Sequence, residues 1–352
     1  MKIGITADCH LNPLYPERKE VLEKIFNHLI SNKVHILFIL GDLFDKAQQN
    51  YSDFDSLLEK FPDLKVYIIP GNHDYNISQS HFSSSNLKVI TEPEIISLAN
   101  LDFLFVPYNP RVEGMDEIIA ESIYKREIKK WILLSHADYI SICYQPNPYE
   151  ELRMYMPLFS STIEKFKPEK VFLGHIHKPS EYGKVIYPGS PCPVDYTETG
   201  KRSFLIFDTE NFKCERVPID APYIYFKEEI VVYPVENELE LLRKELKNLI
   251  DCWKLSDEEI RKVKLYLSLA GFSKDKQVLK QKIEEFLKIK GIEVVKLDLD
   301  KVSIPVQDEL FESRKEIFKM VIREFKIPKK VDEIILDEDE IKEKILEIIF
   351  RK

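Results

Sequence analysis

No stretch of this chain approaches the roughly 18 consecutive apolar residues that a membrane-spanning helix needs, which excludes a helical membrane protein. Cysteine is scarce and scattered. The five cysteines, at positions 9, 143, 192, 214 and 252, form no Cys-x-x-Cys pair and no zinc-type spacing, so no disulfides are expected and a reducing compartment fits. Glycine is rarer than usual, 10 in 352 residues, and with abundant Lys and Glu this usage is compatible with a thermophile's. Basic residues do not prevail either: 51 Lys and Arg stand against 60 Asp and Glu, a net charge of -9, which argues at first sight against a nucleic-acid partner. The first strand begins at Lys2, so no signal peptide is expected and the cytoplasm is the expected location. What the chain does have is size and apolar content. At 352 residues and 44% hydrophobic it exceeds what one core supports, and two or more units are expected.

The apolar run Ile36-Leu37-Phe38-Ile39-Leu40 is too short for a helix and reads as a buried strand ending at Gly41 and Asp42. A carboxylate at a strand's C-terminal edge lies where ligands bind in α/β sheets. Four other strands repeat the pattern. Residues 2–7 deliver Asp8 and His10, whose spacing places both on one side of an extended chain; residues 66–70 empty into Gly71-Asn72-His73-Asp74; residues 131–135 end at His136; residues 170–174 end at His175 and His177. Singly, each group has a bland explanation: a turn-forming Asn72, a satisfied core His136, a Gly-x-x-Asp that is only a turn. Their conjunction is not bland. Five of the eight histidines fall at strand ends, with two aspartates and an asparagine, and imidazole is the commonest nitrogen ligand for transition metals. A metal centre is expected.

The ordered set Asp8-Cys9-His10, Gly41-Asp42-Leu43-Phe44-Asp45, Gly71-Asn72-His73-Asp74, His136 and Gly174-His175-Ile176-His177 resembles the calcineurin-like metallophosphoesterases, which are two-metal enzymes. Within that superfamily, residues 187–194 (Tyr-Pro-Gly-Ser-Pro-Cys-Pro-Val), running on through Glu198-Thr199-Gly200-Lys201, resemble the DNA double-strand-break nucleases of the SbcD and meiotic-recombination-eleven type. The resemblance implies that Asp8, His10, Asp42 and His177 hold one ion and that Asp42, Asn72, His136 and His175 hold the other, with Asp42 shared. Nitrogen and oxygen ligands without thiolate suit manganese, iron or zinc, and the resemblance favours manganese. It further makes His73 the general acid or transition-state donor, lying on the opposite side of an extended segment from Asn72, and gives Asp45 the position that orients His73 and raises its pKa. The sequence departs from the family at Cys9, which replaces a commonly bulky residue, and at Asn12, where glycine is common; Lys46 stands where Ser/Thr protein phosphatases carry arginine.

Elsewhere the periodicity predicts helices over 17–31, 51–60 and 116–128 and strands over 87–90 and 101–106. The opening βαβαβ order predicts a parallel sheet. Strands over 184–187, 203–208 and 214–218 read as an antiparallel set completing a second sheet. The tyrosines of the 137–156 loop (139, 144, 149, 155) either stack on bases or pack the loop onto the body, and the second reading is favoured. The expected fold is α/β (α+β): a two-sheet β-sandwich flanked by helices, the metallophosphoesterase fold, with a small α/β cap domain and a C-terminal helical segment. The expected domains are a nuclease domain over 1–220, a capping, DNA-binding domain over 221–302, and a helical partner-binding segment over 303–352. In the last, a stripe from Leu310 to Phe325 and a final helix opening at Asp337-x-x-Glu340 are apolar over much of their surface.

The function this implies is a manganese-dependent DNA nuclease of a double-strand-break repair complex, exonuclease on duplex ends and endonuclease on single strands, attacking phosphodiesters in line with a metal-bridging water. Its implied partners are DNA, an SbcC-type coiled-coil ABC ATPase held by the C-terminal helices, and a second copy of the chain. The alternative is a metal-dependent phosphodiesterase for a small nucleotide or other small diester.

Overall fold

The computed structural model describes residues 1–46, 49–124, 126, 128, 130–141, 154–232, 237–304, 311–324, 330–331, 334–335, 341, 344–345 and 348–349. They pack as two units: Met1–Val194 with Lys201–Pro222, and Asp195–Gly200 with Tyr223–Lys352.

In the first unit, β1 (Lys2–Thr6), β2 (Ile36–Leu40) and β3 (Lys65–Ile69) run parallel, joined by α1 (Pro16–Ser31) and α2 (Tyr51–Glu59). Pro16 sits at the first helical position of α1, where its missing N–H costs nothing. The apolar run of β2 does not alternate with polar residues because both of its faces are covered. Leu37 and Ile39 pack towards α1 and α2, while Phe38 and Leu40 face the second sheet. The strand β4 (Leu87–Val89) extends this sheet beyond β3.

The second sheet holds β5 (Glu94–Leu98), β6 (Leu101–Val106), β7 (Trp131–His136), β10 (Lys170–Gly174), β11 (Ser180–Tyr182) and β12 (Val185–Tyr187), in the order β11-β12-β10-β7-β6-β5. A two-residue parallel pair, β8 (Tyr139–Ile140) and β9 (Leu158–Phe159), lies beyond it. Helices α3 (Asp116–Tyr124) and α4 (Ser160–Phe166) follow β6 and β9 in the chain, and Ile119, Ile123 and Ile163 join the outer core of the second sheet. Of the expected helix over 116–128, the helix itself ends at Tyr124.

The last two strands of this unit correct the expectation of an antiparallel set in the second sheet. Only β12 joins that sheet, parallel to β10. The strand β13 (Ser203–Asp208) crosses back to pair antiparallel with β1, and β14 (Cys214–Pro218) pairs with β13. The reason is burial on both faces: Phe204 and Ile206 enter the helix-side core, Leu205 and Phe207 the inter-sheet core. Between the sheets Phe38 meets Phe105 and Phe103 edge to face, with centroids 5.0 and 5.4 Å apart. The unit is thus a helix–sheet–sheet–helix sandwich.

The second unit is a three-stranded parallel sheet of β15 (Ile224–Val232), β16 (Val263–Phe272) and β17 (Glu293–Ser303) in that order. Helices α5 (Glu238–Cys252) and α7 (Lys276–Ile289) cover one face, with Leu242, Leu246, Leu279 and Ile283 packed on Val263, Leu265, Leu267 and Leu269. Asp275 caps α7 by accepting from Gln277 N and Val278 N. A short α6 (Asp257–Ile260) opens with a Ser256 and Glu259 capping box that the periodicity did not announce. On the other face, Phe318 of α8 (Phe311–Glu324) buries against Val231, alongside Phe272, Ile345 and Ile349. A two-residue hairpin, β18 (Lys330–Val331) and β19 (Ile334–Ile335), follows. The expected capping box at residues 337–340 and the loop tyrosines 144 and 149 lie outside the described residues. Among the described residues no helix is long and apolar enough to cross a membrane.

Candidate metal centre

The sandwich brings the C-terminal ends of β1, β2 and β3 against those of β7 and β10, so the five strand ends from two sheets face one another. Two glycines make the approach possible. A Cβ on Gly41 would sit 2.2 Å from His136 Nδ1, and one on Gly174 would sit 1.9 Å from the Leu40 carbonyl oxygen. Backbone bonds then tie the ends together: Asp8 N donates to Gly41 O, His10 N to Asp42 O, and Leu11 N to Leu43 O, at 3.1, 2.9 and 2.8 Å.

The chain does not enter this region extended, as the alternation argument expected for Asp8 and His10. Asp8, His10, Asp42 and His175 all have positive φ (54°, 45°, 50° and 96°), a conformation that costs non-glycine residues energy and persists only where surrounding packing over-determines it. The Asn72–His73 segment likewise consists of bends, and His73 does not point away from the cage. Its ring stands edge-on to His10 with centroids 4.8 Å apart, and its backbone N donates to Asp42 Oδ1 at 2.8 Å.

The seven predicted ligand residues converge. On one side, His10 Nε2 and His177 Nε2 are 3.1 Å apart, and Asp8, His10 and His177 each place one donor atom within 4.8 Å of the others. On the other, Asn72 Oδ1 lies 2.8 Å from His136 Nε2 and 3.1 Å from His175 Nδ1. Asp42 belongs to both sides: its Oδ2 is 3.8 Å from His10 Nε2 and 3.4 Å from His136 Nε2. Asp8, His10, Asp42, His136 and His175 are all buried.

Burial decides the proton affinity of two of these groups and opposing charge that of two others. It raises Asp8 to about 6 against the pull of His177 and His136, and it lowers His10 to about 3, helped by His177. For Asp42 burial is outweighed by His136 and His10, which hold the carboxyl far below the usual range; reciprocally, His136 is raised to about 9 because Asp42 overcomes the effect of burial. A buried carboxylate normally finds donors, yet Asp8 Oδ2 has none among the described residues. An orphaned carboxylate oxygen, convergent imidazoles, a shared aspartate and an amide oxygen without thiolate fit divalent cations with mixed nitrogen and oxygen preference.

Beside the cage, Asp45 Oδ1 is 3.8 Å from His73 Nδ1, and the His73 side chain holds the Asp45 carboxyl below the ordinary carboxylate range. Two residues that the motif reading did not assign a role support it. Asn12 Nδ2 donates to Asp45 Oδ2 at 3.3 Å, so the departure from glycine adds a prop for this carboxylate. Buried Arg18 lies 3.6 Å from Asp45 Oδ2 and donates to the carbonyls of His10 and Val194. Asp74 anchors the loops, accepting from Gly71 N at 2.7 Å and Phe44 N at 3.2 Å. Buried Asp138, 3.6 Å from His175 Nε2, was also missed; a carboxylate two residues beyond a ligand-type histidine was the available signal. Tyr155, from the same loop, is buried with its ring 4.7 Å from that of His175.

The family model described as calcineurin-like phosphoesterase matches residues 1–179, and the chain belongs to this family of hydrolases. Similar solved structures include TT1561 of Thermus thermophilus, at 16% identity and a TM-score of 0.43, covering 62% of this chain and 98% of that one. Another is a dimetal phosphatase from Danio rerio, at 13% identity and a TM-score of 0.41, covering 62% and 96%. No curated protein matches the chain.

Proposed function

We propose that this phosphoesterase is a DNA nuclease of the SbcD and meiotic-recombination-eleven type, acting on duplex ends and single strands in double-strand-break repair. The observation that carries the polynucleotide reading is the second unit. On β16 the buried Val263, Leu265 and Leu267 alternate with Lys264, Tyr266 and Ser268 on the face away from α5 and α7. There Tyr196, 41% exposed, stacks on Tyr266 at 4.4 Å, Tyr225 meets Tyr266 edge-on, and Lys264 Nζ lies 4.9 Å from the Tyr223 ring centroid. A hollow of about 370 Å³ is lined by Tyr196, Lys227, Tyr266, Ser268, Lys296 and Asp298. Aromatic faces among ammonium groups are the elements that hold unstacked bases and phosphates, and they stand out on a chain of net charge -9.

In this reading Asp8, His10, Asp42 and His177 hold one divalent cation, and Asp42, Asn72, His136 and His175 the other, with manganese as the preferred ion. When bound, the pair would supply Lewis-acid stabilisation of the phosphoryl oxygens and a nucleophile at neutral pH. The chain's own contribution is placement and proton transfer. His73, beside His10 and within reach of Asp45, gives a proton or hydrogen bond to the oxygen on which charge develops as the ester bond breaks. Asp45, propped by Asn12 and Arg18, holds that imidazole in orientation. The C-terminal helices are the proposed seat of an SbcC-type ATPase: beside buried Phe318, α8 presents Ile317 and Met320, 47% and 53% exposed. A second copy of the chain is the remaining proposed partner.

The test compares cleavage of linear duplex and single-stranded DNA with that of a chromogenic diester, in Mn²⁺ and then with chelator. Chelation is expected to stop all three reactions. Tyr196→Ala should weaken single-strand cleavage by about 1–3 kcal/mol of lost stacking while leaving the chromogenic diester untouched. Turnover of the diester with both DNAs uncut would instead establish the small-substrate reading, which the acidic balance of the chain favours.

A further inference from the structure

We propose that Asp138 is a positioning residue that decides which ring nitrogen of His175 faces the cage. The proposal rests on the two-cation reading above. The two imidazoles beside Asn72 enter the cage by different atoms. His136 presents Nε2, because its Nδ1 lies 2.9 Å from the Leu40 carbonyl oxygen, an acceptor that keeps the ring proton on Nδ1. His175 presents Nδ1 to Asn72 Oδ1, and its Nε2 looks the other way, towards Asp138 Oδ1 at 3.6 Å.

A cation needs the lone pair of the nitrogen it meets, so His175 must carry its proton on Nε2. A carboxylate beside Nε2, being only an acceptor, favours that tautomer once a cation draws the Asn72 oxygen and the Nδ1 lone pair to itself. Asp138 is itself held from several directions. Its backbone N donates to Tyr155 O and its carbonyl accepts from Leu158 N, at 2.9 and 2.8 Å. Its Oδ2 accepts from Tyr155 N at 2.8 Å, and Oδ1 is the oxygen on the histidine side. Both His175 and Asp138 are buried, so bulk water does not compete for the tautomer.

This geometry makes Asp138→Asn an inverting change. The Tyr155 N–H, a fixed donor, keeps the amide oxygen on its side and turns the amide NH₂ towards His175 Nε2. Nε2 then becomes the acceptor, the proton moves to Nδ1, and the nitrogen facing the cage loses its lone pair. Calorimetric titration with Mn²⁺ should give two sites in the wild type. In Asp138→Asn, one site should weaken by about 10–100-fold with the other unchanged, and the variant should add no further loss in a His175→Ala background. Nitrogen NMR of the protein loaded with diamagnetic Zn²⁺ supplies a readout independent of turnover: His175 should be protonated on Nε2 in the wild type and on Nδ1 in Asp138→Asn.

Wild-type His175 protonated on Nδ1 with Zn²⁺ bound would overturn the proposal even if the variant fails to fold. So would two wild-type-strength sites in Asp138→Asn, or equal weakening of both. A wild type that binds fewer than two Mn²⁺ ions would overturn the cage reading and this proposal with it.

Discussion

Strands β2 and β16 are both central in parallel stacks, yet they meet their surroundings in opposite ways. Strand β2 is buried on both faces and runs out into Gly41 and Asp42 at positive φ, with Asp42 sealed from water. Strand β16 alternates buried leucines with half-exposed Lys264, Tyr266 and Ser268. A strand clamped between two cores can hold strained, desolvated carboxylates and imidazoles at its end, because the packing over-determines them. Over Lys264–Ser268, where only one side of the strand is buried, it can offer only what water tolerates, tyrosine and lysine. In the proposed reading, chemistry sits where the sheets close on each other, and recognition where a sheet face stays open.

The sharpest way to break the contrast is at the shared carboxylate. Asp42→Asn should disable both halves of the cage and cut phosphodiester turnover at least about 10⁴-fold, if each cation supplies several kcal/mol; metal analysis of the purified variant should show both ions lost. Next comes His73→Ala, expected to lower turnover about 10²–10⁴-fold with two Mn²⁺ ions still bound; loss of an ion in that variant would remove His73 from the role of proton donor. Core truncations then separate the units. Phe38→Ala should cost about 3–5 kcal/mol and Leu267→Ala about 2–5 kcal/mol in urea unfolding, but only Phe38→Ala, which loosens the strand leading to Asp42, should also weaken Mn²⁺ binding. The smallest effect is on pH. Without a cation Asp8 titrates at about 6 and His136 at about 9, and both must give up protons to bind metal. Apparent Mn²⁺ affinity should fall by up to about tenfold per pH unit below 9, and more steeply below 6; titrations in buffers of different ionisation heat would count the protons released.

The side chains that converge in the cage were readable in the sequence because each follows an apolar strand, and a strand's C-terminal edge is a rule of architecture. Their approach was not. Alternation along an extended chain was the wrong guide for Asp8, His10 and His73, since the ends kink into left-handed and bent conformations that only three-dimensional packing imposes. The return of β13 to β1 was hidden for a similar reason: chain order suggested the nearer sheet, while burial on both faces placed it in the farther one. Arg18 escaped notice because its contact to Asp45 joins residues far apart in the chain that no local pattern links, and Asp138, though two residues beyond His136, because its contact is to the distant His175.

Because Asp8, Asp42 and Asn72 follow strands of one sheet and His136 and His175 strands of the other, a cation bound among them is also a rivet across the sandwich. Ligand linkage then couples folding to the supply of metal: at a hundredfold excess over the dissociation constant, each ion adds about 2.7 kcal/mol to the native state. Such a protein loses its catalyst and part of its mechanical integrity in the same event.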